Sequence, residues 1–222
     1  MKKILSALIA SLMLTSALML PSCSEKQVDC VYVTVVNGEL LLAHKAVELT
    51  DTDSDGILTV NDALYKAHEE NFDGGAEAGY ASETTDYGLS LTKLWGVDNG
   101  GSYGYLNNNV SCMSLADEIK ADDHIVAYVY TDTASWSDTY SYFDKLEGEA
   151  GEITLTLMMN GYDENWNTVA LPVDGAVITV DGTPTEYVTD ANGVVTLSVN
   201  SGAVISAVSD TVNLVAPVCV IK

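Results

Sequence analysis

Three aspartates at alternate positions, Asp51, Asp53 and Asp55, followed at once by Gly56, form the sharpest chemical pattern in this sequence. Carboxylates set so close repel one another unless a hard cation gathers them, and an all-oxygen donor set suits calcium. The segment 51–62, DTDSDGILTVND, continues in the order such a site needs. Gly56 permits the sharp turn, Ile57 offers a backbone carbonyl, Thr59 or a water fills a further position, and Asp62 closes the site from the first turn of a helix. The competing reading of the same residues is an acidic turn that caps the helix through its dipole. As a calcium site its role would be structural: only one loop occurs, whereas a paired sensor needs two.

These residues need an element on either side. Before them, residues 28–50 hold two β-branched-rich runs around Asn37-Gly38, which predicts a hairpin with a type I′ turn. After them, Val60, Ala63, Leu64 and Ala67 fall at helical spacing, and Thr59 with Asp62 forms a capping box in which Asp replaces Glu. Further strands are expected at 87–95, 124–130 and 139–143, in a stretch rich in Gly, Tyr, Asn and Ser. Residues 145–151, KLEGEAG, mark a boundary. Beyond it, short strands alternate with turns at Asn160-Gly161, Asp174-Gly175, Asp181-Gly182, 190–193 and Ser201-Gly202. The expected architecture is α+β: a β-grasp-like domain with one main helix over 29–146, then a small all-β, Ig-like or prealbumin-like sandwich over 151–222.

The amino terminus has the pattern of an export signal: Lys2-Lys3, an apolar run, and a small residue at 22. Leu20-Pro21-Ser22-Cys23 resembles a bacterial lipobox, which implies cleavage after residue 22 and lipidation of Cys23, with 23–28 as a polar linker. The expected location is therefore extracytoplasmic, anchored by lipid to a bacterial membrane or cell surface. Cys30, Cys112 and Cys219 then remain, enough for at most one intrachain disulfide; Cys30–Cys112 is the cheapest pairing, and three reduced thiols the alternative.

The formal charge is −23 and every basic side chain is lysine. With no guanidinium to fork onto phosphate, nucleic acid is excluded as a partner, and the lipid anchor is the one expected contact with a membrane. His68-Glu69-Glu70 lacks the second histidine of a zincin, and single histidines such as His44, His68 and His124 are more often partly buried polar residues than ligands. The pairs Glu69/Glu70 and Asp122/Asp123 are cheap coincidences in so acidic a chain, and no GxSxG, P-loop or Cys/His nucleophile context is present. The sequence therefore reads as non-enzymatic.

Three resemblances sharpen this. Residues 51–62 resemble the EF-hand calcium loop and its dockerin variant, with Asp62 where an EF-hand has Glu and a strand in place of the leading helix. The combination of TVNDAL at 59–64, GLSLTKLWG, GYLNNN and SLADEIKADDHIVAYVY resembles the transcobalamin C-terminal-like domain family, with Ala121-Asp122-Asp123 replacing that family's Gly-Asp turn. This implies a β-grasp-like fold and places Trp95, Tyr103, Tyr105 and Asn107 near any ligand. The segment 175–199 is similar to carboxypeptidase-regulatory-like and pilin-type domains. The leading expectation is a calcium-stabilised surface module that binds a small molecule, a surface protein or a glycan. Capture of cobalamin or another small ligand is the alternative, and a glycan-acting enzyme a distant third.

Overall fold

The structure, a computed structural model, describes residues 29–98, 100 and 102–222; the expected leader at 1–22, the expected lipidation site Cys23 and the expected linker to residue 28 lie outside them. In chain order the elements are β1 (Cys30–Asn37), β2 (Glu39–Glu48), α1 (Val60–Asn71), α2 (Gly75–Gly79), β3 (Ala81–Thr85), β4 (Gly88–Lys93), β5 (Tyr103–Asn107), β6 (Val110–Ser111), β7 (His124–Val129), β8 (Thr139–Phe143), β9 (Glu147–Gly148), β10 (Gly151–Tyr162), β11 (Thr168–Pro172), β12 (Val177–Val180), β13 (Thr183–Val188), β14 (Val194–Val199), β15 (Val204–Val208), β16 (Leu214–Val215) and β17 (Cys219–Ile221). The fold is mainly β, with several sheets. No helix among the described residues is long and apolar enough to cross a membrane.

The first sheet has the order β2-β1-β7-β5-β6. β1 pairs with β2 antiparallel and with β7 parallel. Val31, Val33 and Val35 face a core shared with Leu64 of α1, Leu94 and Ile125. On the opposite face, Val36, Leu106, Val126 and Tyr128 pack against Tyr140, Val215 and Ala216 from the C-terminal half. The sheet is thus covered on both sides, and every residue of β7 is buried, which explains why its sequence is a continuous apolar run rather than an alternation.

The remaining sheets are β11-β10-β8-β16, with β14 also on β10; β13-β12-β15-β17-β9; and the hairpin β3-β4. The two larger ones close on one core around Phe143, Leu155, Leu157, Ile178, Ile205 and Ile221. Strand β8, on the amino-terminal side of the expected boundary at 145–151, is hydrogen-bonded to β10 and β16, and β9 to β17.

Two local expectations are corrected, and one short element is added. Gly38 alone is left-handed at the first hairpin, φ +70°, and Asn37 pairs with Glu39 across it, so the turn is tighter than type I′. Asn160-Gly161 is not a turn: β10 runs on to Tyr162, and Leu171 of β11 lies over Gly161, where a Cβ would come within 2.4 Å of its side chain. The Gly-rich stretch after α1 forms the short helix α2, which period-based reading misses because it is one turn long.

Candidate metal centre

The loop between β2 and α1 is fixed by its own backbone. Ser54 Nand Gly56 N donate to the two oxygens of Asp51 at 2.7 and 2.9 Å. Asp55 N donates to Asp53 at 3.3 Å, and Ile57 N to Asp55 at 2.8 Å. Two left-handed residues, Ser54 at φ +63° and Gly56 at φ +88°, fold the chain back on itself. The result gathers one oxygen from each of Asp51, Asp53 and Asp55 within 4.8 Å of one another. That spacing fits a cation bound at about 2.3–2.6 Å from each oxygen, the distance calcium prefers. The Gly56 N–H leads several backbone donors that hold the Asp51 carboxyl below its ordinary range. Asp53 is pushed up, by neighbours that strip its water and then by the charges of Asp55 and Asp62. Among the described residues this is the one group of three or more His, Cys, Asp or Glu side chains within metal-binding reach of each other.

Asp62 and Thr59 stand differently from the expected ligand set. Asp62 is 1% exposed. One of its oxygens accepts Thr52 N at 2.8 Å and Thr52 Oγ1 at 2.5 Å, and the other accepts Thr59 N at 2.9 Å and Thr59 Oγ1 at 2.7 Å. Four donors match the four lone-pair sites of a carboxylate. Asp62 therefore closes the loop as a clasp between its two ends, and the Thr59 side chain is taken up by the capping box. The physical reason is length: aspartate is one methylene shorter than glutamate, and from the third position of α1 its carboxylate turns back to the cap. Ile57 has a half-exposed side chain and offers the loop only its backbone. Nothing in the sequence pattern points to Thr52, whose two donors complete the clasp.

The segment 115–119 holds the loop from outside. Ile119 N donates to Leu58 O at 2.9 Å, Val60 N to Asp117 O at 3.1 Å and Asn61 N to Leu115 O at 2.9 Å.

Comparisons with family models, with curated proteins and with solved structures give no match. The chemistry of this chain is accordingly read from its own residues. Of the four residues expected near a ligand, Tyr103 and Tyr105 line one depression of about 240 Å³ together with Cys112 and Tyr128. Tyr103 OH lies 2.9 Å from both Thr92 O and Val97 O, and its single proton is shared between these two carbonyls. Trp95 lies elsewhere, packed on His68 and Phe72 at ring separations of 4.9 and 5.3 Å. Asn107 Nδ2 donates to Asp123 at 2.9 Å, tying down the turn before β7. In that turn Asp122 adopts φ +67°, the conformation for which glycine is the usual residue.

The three histidines divide between two places. His68 lies in the first core, with Nδ1 2.6 Å from Leu64 O and Nε2 accepting Trp95 N at 3.0 Å. His44 and His124 meet edge to face at 4.9 Å between the two halves of the chain. His124 Nε2 is 2.8 Å from Thr34 Oγ1, and His44 Nε2 is 3.4 Å from Glu147, which also pairs with Lys222. Both Nδ1 atoms are buried without a partner among the described residues. Among the described residues Cys30, Cys112 and Cys219 form no disulfide, and burial pushes the Cys112 and Cys219 thiols up to about 11.

Proposed function

We propose that this chain is a non-enzymatic, calcium-braced binding module of a bacterial cell surface, tethered through a lipidated Cys23. In this reading the amino-terminal half is the β-grasp-like unit that its resemblance to the transcobalamin C-terminal-like family implies, and the carboxy-terminal half is a small sandwich. The observation that carries it is the gathering of Asp51, Asp53 and Asp55 within 4.8 Å, at the point where β2 crosses to α1. Those carboxylates supply hard oxygen donors, and a bound cation would remove the repulsion between them and pin the crossover. The depression beside Tyr103 and Tyr105, about 240 Å³, falls below the roughly 300–1,000 Å³ of small-molecule pockets. It favours the interaction module over capture of a large ligand such as a corrinoid at those residues.

The test is a thermal melt of the full chain with calcium and with EDTA, alongside calorimetric titration of calcium. Calcium should raise the melting temperature and Asp53→Asn should remove most of that gain. An unchanged melt on chelation, with no binding heat, would overturn the reading.

A further inference from the structure

A groove of about 460 Å³ separates β2 from the outer face of the β12–β15 ladder. Thr179 and Ser206, direct partners across that ladder, line its floor. Their neighbours Ile178 and Ala207 point the other way, into the C-terminal core. Thr179 and Ser206 are 5% and 8% exposed; neither hydroxyl is hydrogen-bonded within the described residues, and neither oxygen is among the fully buried unpartnered atoms. Both hydroxyls are therefore open to the groove and free to exchange water for a ligand's hydrogen-bonding group. Around them the lining is largely apolar, with Leu40 and Leu41 on one side and Val204 and Val208 on the other. The volume and the position between two halves of a chain are those of small-molecule sites.

The edge of β2 decides against a peptide strand as the occupant. Two register shifts interrupt its pairing with β1, between Val33 and Val35 and between Val35 and Val36, and His44 sits in the bulged stretch at φ +42°. Bulges of this kind spoil an edge for strand addition. Glu39 and Asp181, both exposed, border the same groove, and they repel an anion. We propose that this groove binds an uncharged, mainly apolar small molecule whose hydrogen-bonding group meets the Thr179–Ser206 hydroxyl pair. The proposal deepens the binding-module reading by naming a ligand class, and because the groove does not include the aspartate loop, the two fail independently.

The experiment is a fluorescence titration of the full chain with N-phenyl-1-naphthylamine, an uncharged apolar probe with one N–H, and with its anionic relative 8-anilinonaphthalene-1-sulfonate. The uncharged probe should bind saturably at one site, at least ten-fold tighter than the sulfonate. Ser206→Phe, which fills the groove from its floor, and Val208→Asp, which charges its half-exposed rim, should each weaken binding at least ten-fold. Val208→Asp keeps the test decisive if Ser206→Phe does not fold, as judged by circular dichroism. EDTA should leave probe binding in place if the groove alone is responsible. Absence of saturable binding, equal binding by folded variants, preference for the sulfonate, or a concentration-dependent dimer that excludes the probe would each overturn the proposal.

Discussion

His124 is 2% exposed, and burial, then the nearby His44, pushes its pKa down to about 3. Burial likewise pushes His68 down to about 4 and lowers His44 despite Glu147 at 3.4 Å. The groups facing the His44–His124 pair are Tyr32, stacked on His44 at 4.3 Å, Thr34, Glu147 and, through Glu147, Lys222. The unfolded chain takes up these protons near the ordinary histidine value of 6.5, and the folded chain does not until far lower pH. Stability is therefore full above about 6.5 and falls as pH drops below it, by roughly 2 kcal/mol at pH 5 for each strongly shifted histidine. The melting temperature should drop several degrees between pH 7 and pH 5, before the carboxylates titrate and relieve the acidic self-repulsion. His124→Gln should flatten that slope, and an identical slope in the variant would refute the assignment. At this scale the aspartate triad is legible in the sequence, because ligand spacing within one loop is a local property. The clasp at Asp62 and the His44–Glu147 contact are not, since each depends on where a side chain's partner arrives in space.

At the scale of elements, α1 is the best-determined part of the sequence. Its hydrophobic spacing, its start after Thr59 and its capping box all agree with one another, and the helix spans Val60–Asn71 with both reciprocal cap bonds formed. Thr59→Ala removes a donor to Asp62 together with the cap acceptor, and should cost about 1 kcal/mol. For a chain of this size that is a fall of about 2–4 °C in melting temperature, measured by calorimetry. An unchanged melt would show that the cap does not hold the loop. The strands are legible as apolar runs, but their ends are less so. Gly161 reads as a turn residue only until Leu171 is seen to occupy the space above it. Gly104 in β5 is similar, for a Cβ there would lie 2.1 Å from the ring of Tyr128 on the neighbouring strand. In both places the glycine answers a neighbour from another strand, which local periodicity does not report.

Across the whole molecule, the two halves are joined by packing as well as by sequence. Tyr140 of β8 is the centre of this junction: it is 7% exposed, packs with Val36, Leu106, Val126 and Tyr128, and its OH donates to Asn109 at 2.7 Å. Loss of such a side chain costs about 3–5 kcal/mol. Tyr140→Ala should lower the melting temperature and separate one calorimetric transition into two as the halves lose their common core. A single transition at the original temperature would show that the junction carries no energy. This connection is hidden from sequence because a strand's own pattern says which face is buried and leaves its partner open. The charge of −23 does belong to this scale, as a property of the outer surface; it repels polyanions at long range and says nothing of which ligand a groove takes.

The placement of β1 has a mechanical consequence. The first described strand is not at an edge but between β2 and β7, antiparallel to one and parallel to the other. A pull applied at Asp29 along the strand loads both ladders lengthwise, so their hydrogen bonds must fail together in shear instead of opening one after another like a zip. A chain held at its amino end would transmit tension straight into a strand packed on both faces, and would resist extension there in shear.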